Sequence, residues 1–211
     1  METMMALVKQ TSPHTIAANR TQQIMKLVLL TALPGVLAQT LFFGWGTIIN
    51  ILWCSLTAVA CEALVLTLRK RSVSFYLNDY SVLVTALLLA VALPSLSPWW
   101  LTLIGTAFAV IIGKHLYGGL GQNPFNPAML GYVLLLISFP QEMTRWPAPM
   151  GVTDSIASQP LFDGVTNAFA AIFTGAQTID VDAISTATPL DLIRENSTLT
   201  LDELWASNSV F

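Results

Sequence analysis

The chain has 211 residues, 54% of them hydrophobic and only 10% charged, with a mean hydropathy of +0.65. Soluble domains carry about 25% charged residues, so this chain has too little charge to cover a water-facing surface, and insertion in a bilayer removes the difficulty. The net charge of −3 is unevenly placed: residues 1–140 hold seven Lys and Arg against three Asp and Glu, whereas residues 141–211 hold two against nine. An apolar, mildly basic part is joined to an acidic, polar one, and no basic surface for nucleic acid is expected.

Residues 1–23 form a short N-terminal segment ahead of the first apolar stretch. No charge occurs between Lys26 and Glu62, a run of 35 residues. That is too long for one crossing at about 20 residues and nearly enough for two. Gly44-Trp45-Gly46 is the natural turn, which predicts helices over 24–43 and 47–68. The first apolar stretch runs on into the second, so no cleavable signal peptide is expected. Cys54 and Cys61 lie seven residues apart in one helix. That is roughly 10 Å of rise, too far for a disulfide, and both are read as packing residues.

A second charge-free run, residues 80–113, breaks at Pro94-Ser95-Leu96-Ser97-Pro98 ahead of Trp99 and Trp100, which suit a membrane interface. It predicts helices over 80–96 and 98–115. Residues 118–129 then read Gly-Gly-Leu-Gly-Gln-Asn-Pro-Phe-Asn-Pro-Ala-Met. This is neither a P-loop nor a dinucleotide fingerprint. Asn126 and Pro127 form a cap and first-turn pair for a fifth helix over 127–140. The Gly/Asn/Pro run reads either as a tight turn between close helices or as irregular backbone lining a polar cavity. Gly118, Gly119, Gly121, Asn123 and Asn126 are its candidate site residues.

Basic residues favour cytoplasmic loops. The N-terminal segment, Arg69-Lys70-Arg71 and Lys114 then share the cytoplasmic side, and the uncharged Gly44 and Pro94 turns share the other. With five crossings, residues 141–211 lie outside the cytoplasm. The expected fold is thus an all-α integral membrane protein, with a membrane domain over 24–140 and an extracytoplasmic, mostly irregular region with short helices. Glu62, inside the second helix, is a functional candidate because ionisable groups within a bilayer are costly. The plainer alternatives are that it snorkels towards Arg69 or pairs with a neighbouring helix. Asp79 is a second candidate for proton or cation handling, with packing the plainer role. His14 and His115 form no metal-ligand motif, and no metal is expected.

The stretch from Asp79-Tyr80-Ser81-Val82 through Gly113-Lys114 to the Gly118–Met129 block resembles the D-type membrane component of the bacterial Rnf (Rsx) electron transport complexes. It is similar, more distantly, to the B-type component of the sodium-pumping NADH:quinone oxidoreductase. The resemblance runs from about residue 20 to 192. It implies a multi-pass subunit of a bacterial inner-membrane complex, with a cytoplasmic N-terminus and a periplasmic 141–211 region. Such a complex moves electrons between NADH and ferredoxin or another low-potential acceptor while pumping ions. Partners would be the other subunits, the FMN transferase and membrane lipids; the chain would be part of a redox-driven translocase and not catalytic alone. Family members are longer, with further membrane helices, so the chain reads as an N-terminal portion.

Residues 182–189 read Asp-Ala-Ile-Ser-Thr-Ala-Thr-Pro. Members of the family are flavinylated on the last threonine of Asp-x-x-[Ser/Thr]-x-Ala-Thr, which here falls on Asp182, Ser185, Ala187 and Thr188. The resemblance implies that the transferase cleaves FAD and leaves covalent FMN joined through its phosphate to the Thr188 oxygen. It also implies a second, non-covalent flavin, riboflavin, in the membrane. Residues 163–169 are a near miss that ends on Phe169, which has no hydroxyl. Locally, Thr188-Pro189-Leu190-Asp191 reads as a helix start with Thr188 as N-cap. The two readings are compatible, because a phosphate at a helix N-terminus meets free N–H groups and the positive end of the dipole. The alternative from another class is a transporter or channel with a broken-helix site at the Gly/Asn/Pro run and no flavin.

Overall fold

The computed structural model describes residues 17–119, 122–147, 149 and 161–175. The regular elements among them are helices. They are α1 (Ala17–Phe43), α2 (Gly46–Leu68), α3 (Val73–Leu77), α4 (Ser81–Ala92), α5 (Trp99–Phe108), α6 (Pro127–Ser138), α7 (Pro140–Thr144) and α8 (Leu161–Thr174). Helix α5 continues without a break into a π-helical stretch, Ala109–Leu116.

Among the described residues, Thr21–Phe43, Gly46–Leu68 and Trp99–Leu116 are long and apolar enough to cross a membrane. The other two expected spans are shorter than the sequence reading, at 12 residues each. Twelve residues rise about 18 Å, against a hydrocarbon core of about 30 Å. Both stop early because of proline. Helix α4 ends before Pro94, whose ring disfavours helical backbone at Leu93. Helix α6 ends at Phe139, and Pro140 opens the separate five-residue α7. The chain between α4 and α5 is irregular backbone inside the bundle, and side chains satisfy it. Asn50 donates its amide to the Pro94 and Ser95 carbonyls at 3.1 and 3.0 Å, and Ser97 donates to the Pro94 carbonyl at 2.8 Å. Non-helical backbone survives at membrane depth only when its polar groups find such partners.

Two groups of loops gather at opposite ends of the bundle. At one end Gly44, with φ +84°, turns α1 into α2, and the Ser95 hydroxyl donates to the Phe43 carbonyl at 3.0 Å. Gly46 packs on Ser95 so closely that a Cβ there would collide with its carbonyl oxygen. Phe43 also meets Trp146 edge-on at 5.6 Å, so the chain leaving α6 emerges at this end. Helix α8 docks here through Phe173 on Trp53 at 5.2 Å. At the other end lie the start of α1, the end of α2, the start of α4 and the end of the π-helix, where Lys26 sits 4.9 Å above the Tyr80 ring.

The interior is built from small and branched residues. Cys54, Ala58, Val82, Ala86, Ala90 and Val110 form one cluster, and Leu89, Leu93, Leu101, Ala109, Ala128 and Leu135 belong to another. Cys54 is buried and unpaired, as is the half-buried Cys61, in keeping with packing roles. Without a hydrophobic driving force between helices in lipid, close backbone approach carries the packing. Helices α5 and α6 meet at Gly105 and Gly131. A Cβ on Gly131 would lie 2.7 Å from the Gly105 carbonyl oxygen and 3.0 Å from the Ala109 Cβ. Leucines of α1 and α2 such as Leu27, Leu30, Leu37, Leu52 and Leu56 are exposed, as lipid-facing residues would be.

Gly131→Ala is expected to lower the unfolding free energy of the detergent-purified protein by about 1–3 kcal/mol through overpacking. Gly35, with nothing within 4 Å of its would-be Cβ, is the control. Gly35→Ala should be neutral or stabilise by about 0.5–1 kcal/mol. Equal losses for the two variants in a denaturation series would contradict this packing.

Candidate functional site

The basic end holds a cleft of about 420 Å³. Its floor is an ion pair. The Lys114 ammonium donates to both carboxylate oxygens of Glu62, at 2.6 and 2.7 Å, and both side chains are buried. The adjacent His115 is buried as well, with Nε2 3.6 Å from the second Glu62 oxygen. That distance is too long for a hydrogen bond, so Nε2 lies beside the carboxylate with no hydrogen-bond partner among the described residues. Of the two plainer alternatives for Glu62, the structure shows pairing with a neighbouring helix and not with Arg69.

Lys114 and His115 both lie on the π-helical stretch. In an α-helix consecutive side chains diverge by about a quarter of a turn or more. A π-helix closes i→i+5 hydrogen bonds, so more residues share each turn and successive side chains diverge less. Lys114 and His115 both reach Glu62 from this register. Gly113 holds the same stretch against α6: a Cβ there would lie 3.0 Å from the Pro127 Cα. Gly118 and Gly119, with φ of +111° and +105°, then end the stretch, the Gly119 N–H returning to the Lys114 carbonyl at 3.0 Å.

The mouth of the cleft is built by the end of α2 and the turn after it. The Arg71 N–H bonds the Leu66 carbonyl at 2.9 Å and the Lys70 N–H bonds the Thr67 carbonyl at 3.0 Å, with Lys70 left-handed at φ +54°. This is a Schellman-type stop with lysine where glycine is usual. It places Arg69 and Arg71 on the cleft, while Lys70 does not line it. Arg71 donates to the Tyr76 hydroxyl at 3.2 Å, on the short helix α3. Asp79 lines the cleft too, but its Oδ1 accepts from the Ser81 N–H at 2.8 Å and the Ser81 hydroxyl at 2.6 Å, holding the turn into α4.

Of the residues singled out from the sequence, Glu62, Asp79, Gly118 and Gly119 therefore meet in one cleft. Asn126 caps α6, accepting from the Ala128 N–H at 3.0 Å, and Asn123 donates to the Phe125 carbonyl at 3.2 Å. Gly121 and the Asp182, Ser185, Ala187, Thr188 motif lie outside the described residues. Sequence reasoning missed Lys114 as the partner of Glu62, Arg69 and Arg71 as lining residues, and helix α3. The charge count did signal the first, because Lys114 is the one Lys or Arg between Arg71 and Arg145.

A profile of the NQR2, RnfD, RnfE family matches residues 8–210. The chain belongs to that family. It is similar to proteins described as the D component of an ion-translocating oxidoreductase complex. Identity is 53% over 210 residues in Pseudomonas aeruginosa, 53% over 207 in Ectopseudomonas mendocina and 52% over 192 in Salmonella heidelberg. The alignments cover 98%, 98% and 87% of this chain, and 57%, 57% and 53% of the relatives, so the chain spans little more than half their length. Within this NQR2, RnfD, RnfE member, the buried pair and its cleft are the concentration of charge that the bundle encloses.

Glu62→Gln would strand a buried Lys114 and is expected to cost about 3–5 kcal/mol of stability. Adding Lys114→Met should return most of that loss. Asp79→Ala, which removes the half-buried carboxylate that holds the turn into α4, should cost only about 1 kcal/mol. A double-mutant cycle on denaturation midpoints reads all three. Additive losses at 62 and 114 would show that the pair does not exist.

Proposed function

We propose that the chain belongs to the RnfD-type component of an ion-translocating electron transport complex in a bacterial inner membrane. It carries covalent FMN on Thr188 and relays electrons to other subunits. The observation that carries this reading is the Asp182–Thr188 motif in a chain of this family, Asp182, Ser185, Ala187 and Thr188 all matching. The relatives' description supplies the redox and ion-translocating setting. When bound, the flavin supplies the electron transfer; the chain supplies the attachment oxygen, the position and the surrounding field.

The arrangement of the bundle supports the sidedness of this proposal. Basic residues collect at the end with the cleft, and the chain after α6 emerges at the end with the Gly44 and Pro94 turns. By the positive-inside tendency the cleft end is cytoplasmic, so the acidic region with Thr188 faces the periplasm. On this reading α4 and α6 complete the crossings together with the irregular backbone that extends them, giving five passes. The FMN transferase and the remaining subunits are the proposed partners, and riboflavin the proposed second flavin of the membrane domain. Residues 141–211, which include Thr188, carry nine acids against two arginines. That charge disfavours a reduced, anionic flavin and so favours passing the electron on.

The full-length protein, co-expressed with the flavin transferase and denatured in SDS, should give a fluorescent band under ultraviolet light. Thr188→Val should abolish it, while Thr166→Val, in the near-miss segment, should leave it intact. A band persisting in Thr188→Val would remove the site, and no band in the parent protein would remove the flavin.

A further inference from the structure

Beyond its ion pair, the cleft carries unbalanced charge at its mouth and apolar surface around it. We infer that it binds the phosphate of an anionic phospholipid headgroup, through Arg69 and Arg71. The inference rests on the proposed membrane placement of the bundle.

Four observations lead to it. First, the charges at the floor cancel, because Glu62 and Lys114 satisfy one another. Two arginines and one carboxylate are left at the mouth, and that carboxylate, Asp79, already accepts two hydrogen bonds from Ser81. Second, the arginines have donors to spare. Arg71 spends one N–H on the Tyr76 hydroxyl, and the Arg69 guanidinium has no hydrogen bond or ion pair among the described residues. A guanidinium offers five donors in a planar fork that fits phosphate oxygens two at a time. Third, the mouth has an apolar rim at the level of the headgroups. Leu68 is 75% exposed and Phe75 is 68% exposed. Helix α1, whose Thr21 and Gln22 line the same cleft, is only 6% buried over its apolar span. A free phosphate has no use for that rim, whereas an amphiphile can lay its acyl chains along α1 with its head among the arginines. Fourth, basic pockets between membrane helices on the cytoplasmic side are where anionic lipid headgroups settle. A cleft of about 420 Å³ lies within the ordinary size range of a small-molecule site.

The cluster Arg69-Lys70-Arg71 contains its own control, because Lys70 does not line the cleft. Diffuse attraction between a basic loop and an anionic membrane would treat the three residues alike. A seated headgroup would not.

The test is native mass spectrometry of the full-length protein in its complex, delipidated in detergent and titrated with phosphatidylglycerol, phosphatidylcholine or inorganic phosphate. Phosphatidylglycerol is expected to bind in preference to phosphatidylcholine, and inorganic phosphate at the same concentration should not compete. Arg69→Ala/Arg71→Ala should weaken phosphatidylglycerol binding roughly thirtyfold, the worth of two basic residues near a membrane surface. Lys70→Ala should leave it within about twofold of the parent. Should the double variant fail to assemble, Arg69→Gln alone should still weaken binding about fivefold. Equal binding of the two lipids, equal effects of Lys70→Ala and Arg69→Gln, or displacement by inorganic phosphate would each overturn the proposal. A parent protein found in the soluble fraction would instead overturn the membrane placement beneath it.

Discussion

Glu62 and Lys114 sit 52 residues apart in sequence and touch at 2.6 Å inside a bundle that buries no other Asp, Glu, Lys or Arg among the described residues. Each charge alone would be costly there, by several kcal/mol even after relaxation. Together they fix the register of two helices, because α2 and the π-helix can slide past one another only by parting the pair. The rest of the basic end follows from that constraint. The π-helix carries both Lys114 and His115 to the same carboxylate. Gly113 keeps that wider helix against α6, and the glycines at 118 and 119 turn the chain away once the contact is made. A pair of this kind adds specificity more than stability, since well-packed apolar residues of the same volume often hold as well.

The other end is ordered by neutral hydrogen bonds instead. Asn50 and Ser97 satisfy carbonyls that the Pro94–Pro98 break releases, Ser95 donates to the Phe43 carbonyl, and the Trp53 indole donates to the Trp99 carbonyl at 3.1 Å. Between the ends, Gly105 and Gly131 allow α5 and α6 to approach until backbone meets backbone. Among the described residues, the buried contacts are thus ionic at one end and neutral at the other. That difference coincides with the charge asymmetry of the sequence and is the basis for the proposed orientation in the membrane.

Turns and caps were legible in the sequence because their causes are local. The Gly44 turn, the Pro94 break and the Asn126–Pro127 helix start each follow from the conformational limits of one or two residues. Helices α4 and α6 came out shorter than their apolar runs, since hydropathy marks what a segment can contact and not where its hydrogen bonds stop. The π-register had no such signature. Nothing in Ala-Val-Ile-Ile-Gly-Lys-His-Leu opposes an ordinary α-helix, and packing on α2 and α6 decides the matter. The partner of Glu62 was open for a related reason: Arg69 is near in sequence, but a snorkelling contact competes with a buried one, and only the fold brings Lys114 alongside. The motif ending on Thr188, the proposed flavin site, lies outside the described residues.

The two ends of this bundle are proposed to face opposite sides of a membrane. Single cysteines at Lys70 and Thr144, in a background lacking Cys54 and Cys61, report on the two ends, and both positions are exposed. With a membrane-impermeant maleimide applied to intact spheroplasts, the cysteine at 144 should react at once. The cysteine at 70 should react only after lysis. Labelling of both in intact spheroplasts, or of neither, would place the ends on one side and contradict the proposed arrangement.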